Sequence, residues 1–361
     1  MMPSMDPDFS RMVRAVKRDN PDRVPLFEIL VDFAIQSQFL GRPVAADDLL
    51  AQVTFWSQAG YDYVPLVMGM MRPGRVTADS AISRMLRERQ KDWNLELTSV
   101  VRTPEEFDAF PWDLAGQVEL DDFRKVRPLL PAKMKTIALS GKIFTLSWML
   151  MGFENFCESL MDATNKNGAP HGNAGLESLA VRVIQKVAEI QLSALEELLM
   201  MEHVGAVCAV DDIAYNTGPM ISPESLRRHI FPWYREIARR CHAAGRLFFM
   251  HSDGNLEMIL PDLIDLGVDA LHPIDPTAMD IVQLKRTWGD RMAFFGNVDT
   301  ELLRSGSPEQ VSARVRELLR TVAPGGGFGL GSGNSVPEWA TLANYQAMRR
   351  TALEHGRYPI V

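Results

Sequence analysis

His251, Ser252 and Asp253 set an imidazole and a carboxylate two residues apart at the end of the apolar run RLFFMHSD. Successive side chains of a strand turn to opposite faces, so residues 251 and 253 point the same way. Such a pair can hold one divalent metal ion or serve a substrate as acid and base. The alternative is that Asp253 caps the helix beginning at Asn255 and His251 bonds locally. Asp211-Asp212 closes GAVCAVDD, where alternation lets only one carboxylate face a shared cavity and hold a substrate proton or a cation. A cap for the turn Asn216-Thr217-Gly218 is the other reading. Glu28 interrupts PLFEIL; in an apolar setting it is a ligand, a buried acid with a raised pKa, or half of a strand-end salt bridge.

Further candidates follow the same logic. Gly296-Asn297-Val298-Asp299 offers a glycine that admits a ligand to the backbone and an amide that both donates and accepts, while Asp299 reads equally as a helix cap. Met68, Met70 and Met71, and Trp148 with Met149 and Met151, are adaptable apolar groups suited to a flat ligand or to a core. Ser332 and Asn334 end GFGLGSGN, in which Gly327, Gly329, Gly331 and Gly333 alternate. That alternation clears one face for a bulky group or a neighbouring backbone and lacks the dinucleotide spacing. His203, His242 and His272 have no partners at useful spacing and read as core or surface residues.

These residues gather only if the elements carrying them share an end. Eight apolar runs recur, at 24–30, 61–68, 136–143, 205–212, 246–253, 270–275, 293–299 and 327–334, and most end in a polar or acidic residue. Helical patterns fill most gaps, at 9–19, 47–59, 148–161, 176–201, after Ser222-Pro223-Glu224, at 256–266, after Ser307-Pro308-Glu309 and at 338–355. Strands alternating with helices call for a parallel sheet, and eight repeats for an α/β fold of the (β/α)₈ TIM-barrel type, with chemistry at the C-terminal ends of the strands. The chain of 361 residues exceeds the ~250 of a typical barrel. The excess is assigned to an N-terminal extension, 1–22, and a long loop insertion after strand two, 70–115, within a single domain spanning 1–361. A polar, glycine-rich break is expected at 165–175.

Composition narrows the function classes. A net charge of −8 argues against nucleic acid and anionic membrane as partners. No apolar run approaches the ~18 residues of a transmembrane helix, and the first residues lack the apolar core of a signal peptide. Three cysteines without paired spacing fit a reducing cytoplasm.

Taken together, Asp212 with the downstream Ser222-Pro223 and Phe231-Pro232-Trp233-Tyr234, then MHSDGNLEMILPDLIDLGVDALHPIDP, FFGNVD, GSGNSVPEWATLANYQAM and the closing GRYPI resemble the uroporphyrinogen decarboxylase superfamily. KIFTLSWMLMGFENF resembles its strand-three segment, so the likeness covers the chain from Val24 onward. It implies a (β/α)₈ barrel and one of two chemistries. Decarboxylases of the family act on a tetrapyrrole without cofactor and carry two arginines in an N-terminal motif; here those positions are Leu30 and Ala34, with Glu28 and Asp32 adding negative charge. Methyltransferases of the family work with corrinoid proteins or thiols and hold zinc with a His-x-Cys pair and a second cysteine. Here His251 fits the histidine, Asp253 stands at the first cysteine and Ser332–Asn334 near the second.

The expectation that follows is a methyl- or alkyl-transferring enzyme acting on a small molecule. His251, Asp253 and Asp212 are its catalytic residues, and His251, Asp253 and Glu28 its ligands for zinc or a harder divalent metal. Glu28, Met68, Trp148, Asn297, Asp299 and Asn334 would bind substrate, a corrinoid protein is the expected partner, and a homodimer is weakly indicated. A tetrapyrrole or smaller-acid decarboxylase with Arg72 and Arg75 supplying cations, and a non-catalytic corrinoid or tetrapyrrole binder, are the alternatives.

Overall fold

The computed structural model describes residues 6–68, 100–116, 118–164 and 178–360. Seven parallel strands form one curled sheet in the order β1-β2-β3-β6-β7-β8-β9. They are β1 Tyr63–Val67, β2 Lys135–Ser140, β3 Val204–Val210, β6 Leu247–His251, β7 Ala270–His272, β8 Ala293–Val298 and β9 Phe328–Ser332. A short antiparallel pair, β4 Ala214–Tyr215 and β5 Gly218–Pro219, follows β3. The apolar runs are buried along nearly their whole length, as parallel strands packed on both faces must be.

The expected first strand, 24–30, does not form a regular ladder. It lies beside β9 through bridges Leu26↔Leu330 and Val31↔Val336. The Phe27 amide donates to the Leu330 carbonyl at 2.8 Å, and the Leu330 amide to the Pro25 carbonyl at 2.9 Å. On its other side the Tyr63 hydroxyl takes the place of a strand partner. It accepts from the Glu28 amide at 2.7 Å and donates to the Glu28 carbonyl at 2.6 Å. The segment thus links the last strand to a side chain of the first. Gly331 explains part of the glycine alternation: a Cβ there would lie 1.9 Å from the Phe27 carbonyl oxygen, so a neighbouring backbone occupies the cleared face.

Most helix starts follow the sequence. Asp48 caps Leu49–Ala59, Thr103 caps Pro104–Ala109, Ser178 caps Leu179–Leu199, and Ser307 with Gln310 forms a capping box before Pro308–Thr321. Several expectations are corrected. The run 136–143 stops as strand at Ser140; Gly141, at φ 77°, turns the chain and Ile143 opens the helix Ile143–Met151. The helix expected at 148–161 is two, broken at Gly152, where φ is 80°. Phe33–Leu40 is a helix not foreseen, capped by Asp32 through the Ala34 amide at 2.7 Å. The helix after Ser222 opens into one wide turn, Leu226–Ile230, before Phe231–Ala243; Pro232 has no N–H to continue the regular pattern. Part of the expected insertion, including Met70, Met71, Arg72 and Arg75, lies outside the described residues, as does the break at 165–175. Its described part holds Pro104–Ala109, the helix that the Thr103-Pro104-Glu105-Glu106 start predicts, and a second short helix, Trp112–Ala115. Among the described residues no helix is long and apolar enough to cross a membrane.

Candidate functional site

His251 is the last residue of β6 and is buried. Adjacent strands place Val210 of β3 and His272 of β7 in register with it. Two residues beyond β3 and β6, Asp212 and Asp253 bring carboxylates to the same end. His251 Nε2 lies 4.0 Å from Asp212 Oδ1 and 3.8 Å from Asp253 Oδ1. One ligand atom from each of the three lies within 4.8 Å of the others, the one such group among the described residues. The backbone locks the pair of acids together, since the Asp253 amide donates to Asp212 Oδ1 at 3.0 Å. Asn334, two residues past β9, donates to Asp253 Oδ2 at 2.6 Å. Strand ends three places apart in the sheet order therefore meet across the mouth, which is possible because the sheet curls.

Asp253 Oδ1 is buried and has no hydrogen-bond partner among the described residues. A buried unpaired carboxylate oxygen is costly unless something cationic or protic meets it. The spacings to His251 are too long for hydrogen bonds. Two carboxylates and one imidazole suit zinc or a harder divalent ion, so these residues fit such a group. Burial drives the electrostatics. It pushes the His251 imidazole down to about 4, with Asp212 opposing and Lys142 adding to the fall. Burial, then the Asp212 charge, pushes Asp253 up to about 7 against the Asn334 hydrogen bond, and Asp275 adds to the rise. His251 is thus a neutral imidazole at pH 7, the form that ligates metals.

The Asp211-Asp212 pair divides as alternation requires. Asp211 is buried and accepts from the Phe144 and Thr145 amides at 2.7 and 2.8 Å and from the Tyr234 hydroxyl. It caps the helix Ile143–Met151 from another part of the chain; Lys142, in the cap position, makes no side-chain cap. Asp253 does not cap the next turn, a role taken by Asn255 toward the Glu257 amide.

The remaining candidates are placed as follows. Glu28 is not in the three-residue group. Its two oxygens accept from the Ser332 amide at 2.6 Å and the Ser332 hydroxyl at 2.7 Å, and burial pushes its carboxyl up to about 8 against both bonds. Asn297 donates to the Ile274 carbonyl at 2.6 Å and accepts from Arg314 at 2.8 Å. Asp299 accepts from the Glu301 amide at 2.8 Å and caps Thr300–Ser305. Asp299→Ala is therefore expected to cost about 1 kcal/mol of stability, read from urea denaturation, and to leave turnover unchanged. Loss of turnover with unchanged stability would instead make it a substrate contact. Met68 is buried just past β1, and its amide is held by the Leu139 carbonyl at 2.8 Å. Trp148 is half-buried against Phe153, its indole Nε1 buried without a partner among the described residues.

One residue of the site was read from sequence as core or surface. His272 Nδ1 lies 2.9 Å from His251 Nδ1, both rings being buried. Sequence offers little sign of this, because 21 residues separate two histidines that only strand register brings together.

Comparison with known proteins agrees with this architecture. The structure resembles a methyltransferase from Methanosarcina mazei with a TM-score of 0.65 and 16% identity, over 96% of this chain and 98% of that one. Uroporphyrinogen decarboxylases of two Coxiella burnetii strains, Dugway 5J108-111 and RSA 493 / Nine Mile phase I, are each 28% identical over 137 residues. That match spans 36% of this chain and 36% of the relatives' length. Residues 96–355, most of the chain, match the family model for uroporphyrinogen decarboxylase (URO-D), and the chain belongs to that family.

Proposed function

We propose that this chain is a methyl- or alkyl-transferring enzyme that works on a small molecule at the C-terminal mouth of a (β/α)₈ barrel, as a single domain in the cytoplasm, with a corrinoid protein as partner. The observation that carries the reading is the unpartnered Asp253 Oδ1 facing His251 Nε2 and Asp212. Support comes from the shared fold with a protein named as a methyltransferase.

His251, Asp253 and Asp212 would hold a divalent metal, which supplies Lewis-acid polarisation of the substrate's heteroatom. Asn334 fixes Asp253 so that its free oxygen stays turned toward His251. Asp212 ties down the backbone of Asp253 and adds charge at the exposed side. Lys142, close enough to act on the His251 ring, stands at the start of the helix that carries Trp148. Met68 and Trp148 are the apolar wall in this proposal.

Decarboxylation is the second reading, favoured by the name of the Coxiella burnetii relatives. A polycarboxylate needs cations in its pocket. Here Asp212 and Asp275 both bear on Asp253, and the family's arginine positions are Leu30 and Ala34. Metal analysis separates the two. The purified protein is expected to hold a divalent ion in near-stoichiometric amount, and His251→Ala to lose it together with transfer activity. Release of CO₂ from uroporphyrinogen by a metal-free His251→Ala variant would sink the transferase reading.

A further inference from the structure

We propose that His272 is a positioning residue that sets the tautomer of His251, keeping that ring's proton on Nδ1 so that Nε2 offers a lone pair to a cation between Asp212 and Asp253. The inference rests on the metal reading above.

The geometry begins with register. His251 and His272 are paired positions on neighbouring parallel strands, so their side chains leave the sheet on the same face at the same height. The Ser252 amide donates to the His272 carbonyl at 3.0 Å and fixes that height. The Phe27 ring packs on the His272 ring with centroids 4.8 Å apart and planes at 61°, which limits its rotation. The two imidazole centroids are 5.0 Å apart, and the contact between them is Nδ1 to Nδ1 at 2.9 Å.

Two neutral imidazoles meeting at one nitrogen each must share a single proton there: one donates and the other accepts. The 2.9 Å contact leaves no room for a proton on both nitrogens, and both rings are buried. A cation held at His251 Nε2 requires a bare nitrogen there, so the His251 proton sits on Nδ1. Among the described residues, the acceptor that meets this Nδ1 is His272 Nδ1. His272 then carries its own proton on Nε2, a buried atom with no hydrogen-bond partner among the described residues. That orphan donor is the cost of the arrangement, and a ring that merely filled space would not need to be a histidine.

Metal-bound histidines commonly donate their second N–H to a carboxylate, a carbonyl or a water. A neutral imidazole in that role adds no charge. The ligand set keeps the two negative charges of Asp212 and Asp253, which match a divalent ion.

The test is zinc binding by the full-length chain, measured by competition with a chromophoric chelator, with folding checked by thermal melts. His272→Phe removes the acceptor and is expected to weaken zinc binding by about 10–100-fold. His272→Asn places a carbonyl oxygen where Nδ1 stood and is expected to bind close to wild type. His272→Gln places it near the Nε2 position and is expected to fail as Phe does. The Asn and Gln pair decides the matter if the Phe variant does not fold. In the zinc-loaded wild type, ¹⁵N spectra should show His251 protonated at Nδ1. Wild-type affinity in the Phe and Gln variants, alongside loss of zinc in His251→Ala, would overturn the role of His272 alone. No zinc binding by the wild type would overturn the metal reading and this inference together, a distinct pattern.

Discussion

Asp211→Ala will lower the unfolding free energy by about 3–5 kcal/mol, the loss expected when several buried donors are left without their charged acceptor. The Phe144 and Thr145 amides are the orphan donors of a helix start, and Tyr234 is buried with its hydroxyl on the same carboxylate. Water replaces that acceptor only at a cost, because Asp211, Phe144 and Tyr234 are buried and Thr145 is half-buried. Asp211→Asn keeps one acceptor oxygen and should recover part of the loss. Urea denaturation measures both. A deficit below about 1 kcal/mol for the alanine variant would show that the helix Ile143–Met151 is held by packing instead. The consequence reaches the site, since Lys142 immediately precedes that helix and acts on His251.

Glu28→Gln will stabilise the fold at alkaline pH and change little near pH 4.5. The folded carboxyl is pushed up to about 8 by burial. A carboxyl whose folded value is raised binds more protons folded than unfolded. Its contribution is therefore present below the ordinary value and is lost as pH climbs through the folded one. Between pH ~4.5 and ~8 the wild type should lose up to about 5 kcal/mol from this group. Glutamine stays neutral, can accept from the Ser332 amide and can donate to the Ser332 hydroxyl. Melting temperatures of the two proteins should diverge steadily from pH 5 to about pH 8 and hold a constant gap above it. Parallel curves would contradict this account, and a Gln variant that folds well but no longer turns over would return Glu28 to the substrate.

Much of the sheet was readable because its chemistry is local. An apolar run ended by a polar residue marks a strand tip wherever the chain is buried on both faces, and seven of the eight runs contain strands of one sheet. Ser222 and Ser307 announce their helices because a cap bonds three residues ahead. Alternation alone put residues 251 and 253 on one face, and it divided Asp211 from Asp212 without saying which was which. What escaped was non-local. Asn334 meets Asp253 across 81 residues and Ser332 meets Glu28 across 304. Asp211 caps a helix 66 residues away, and His272 reads as a lone histidine until strand register brings His251 beside it. The 24–30 run misled in a different way: its pattern is that of a strand, but a tyrosine hydroxyl satisfies the backbone where a ladder would stand.

The bond between residues 24–31 and β9 has a consequence for synthesis. Residues 24–31 leave the ribosome about three hundred residues ahead of their partner Leu330. Until then the growing chain carries an apolar edge that β9 has yet to match. Vectorial growth can therefore pair the strands from β1 to β9 in succession, while the edge at residues 24–31 stays unmatched until β9 has been added.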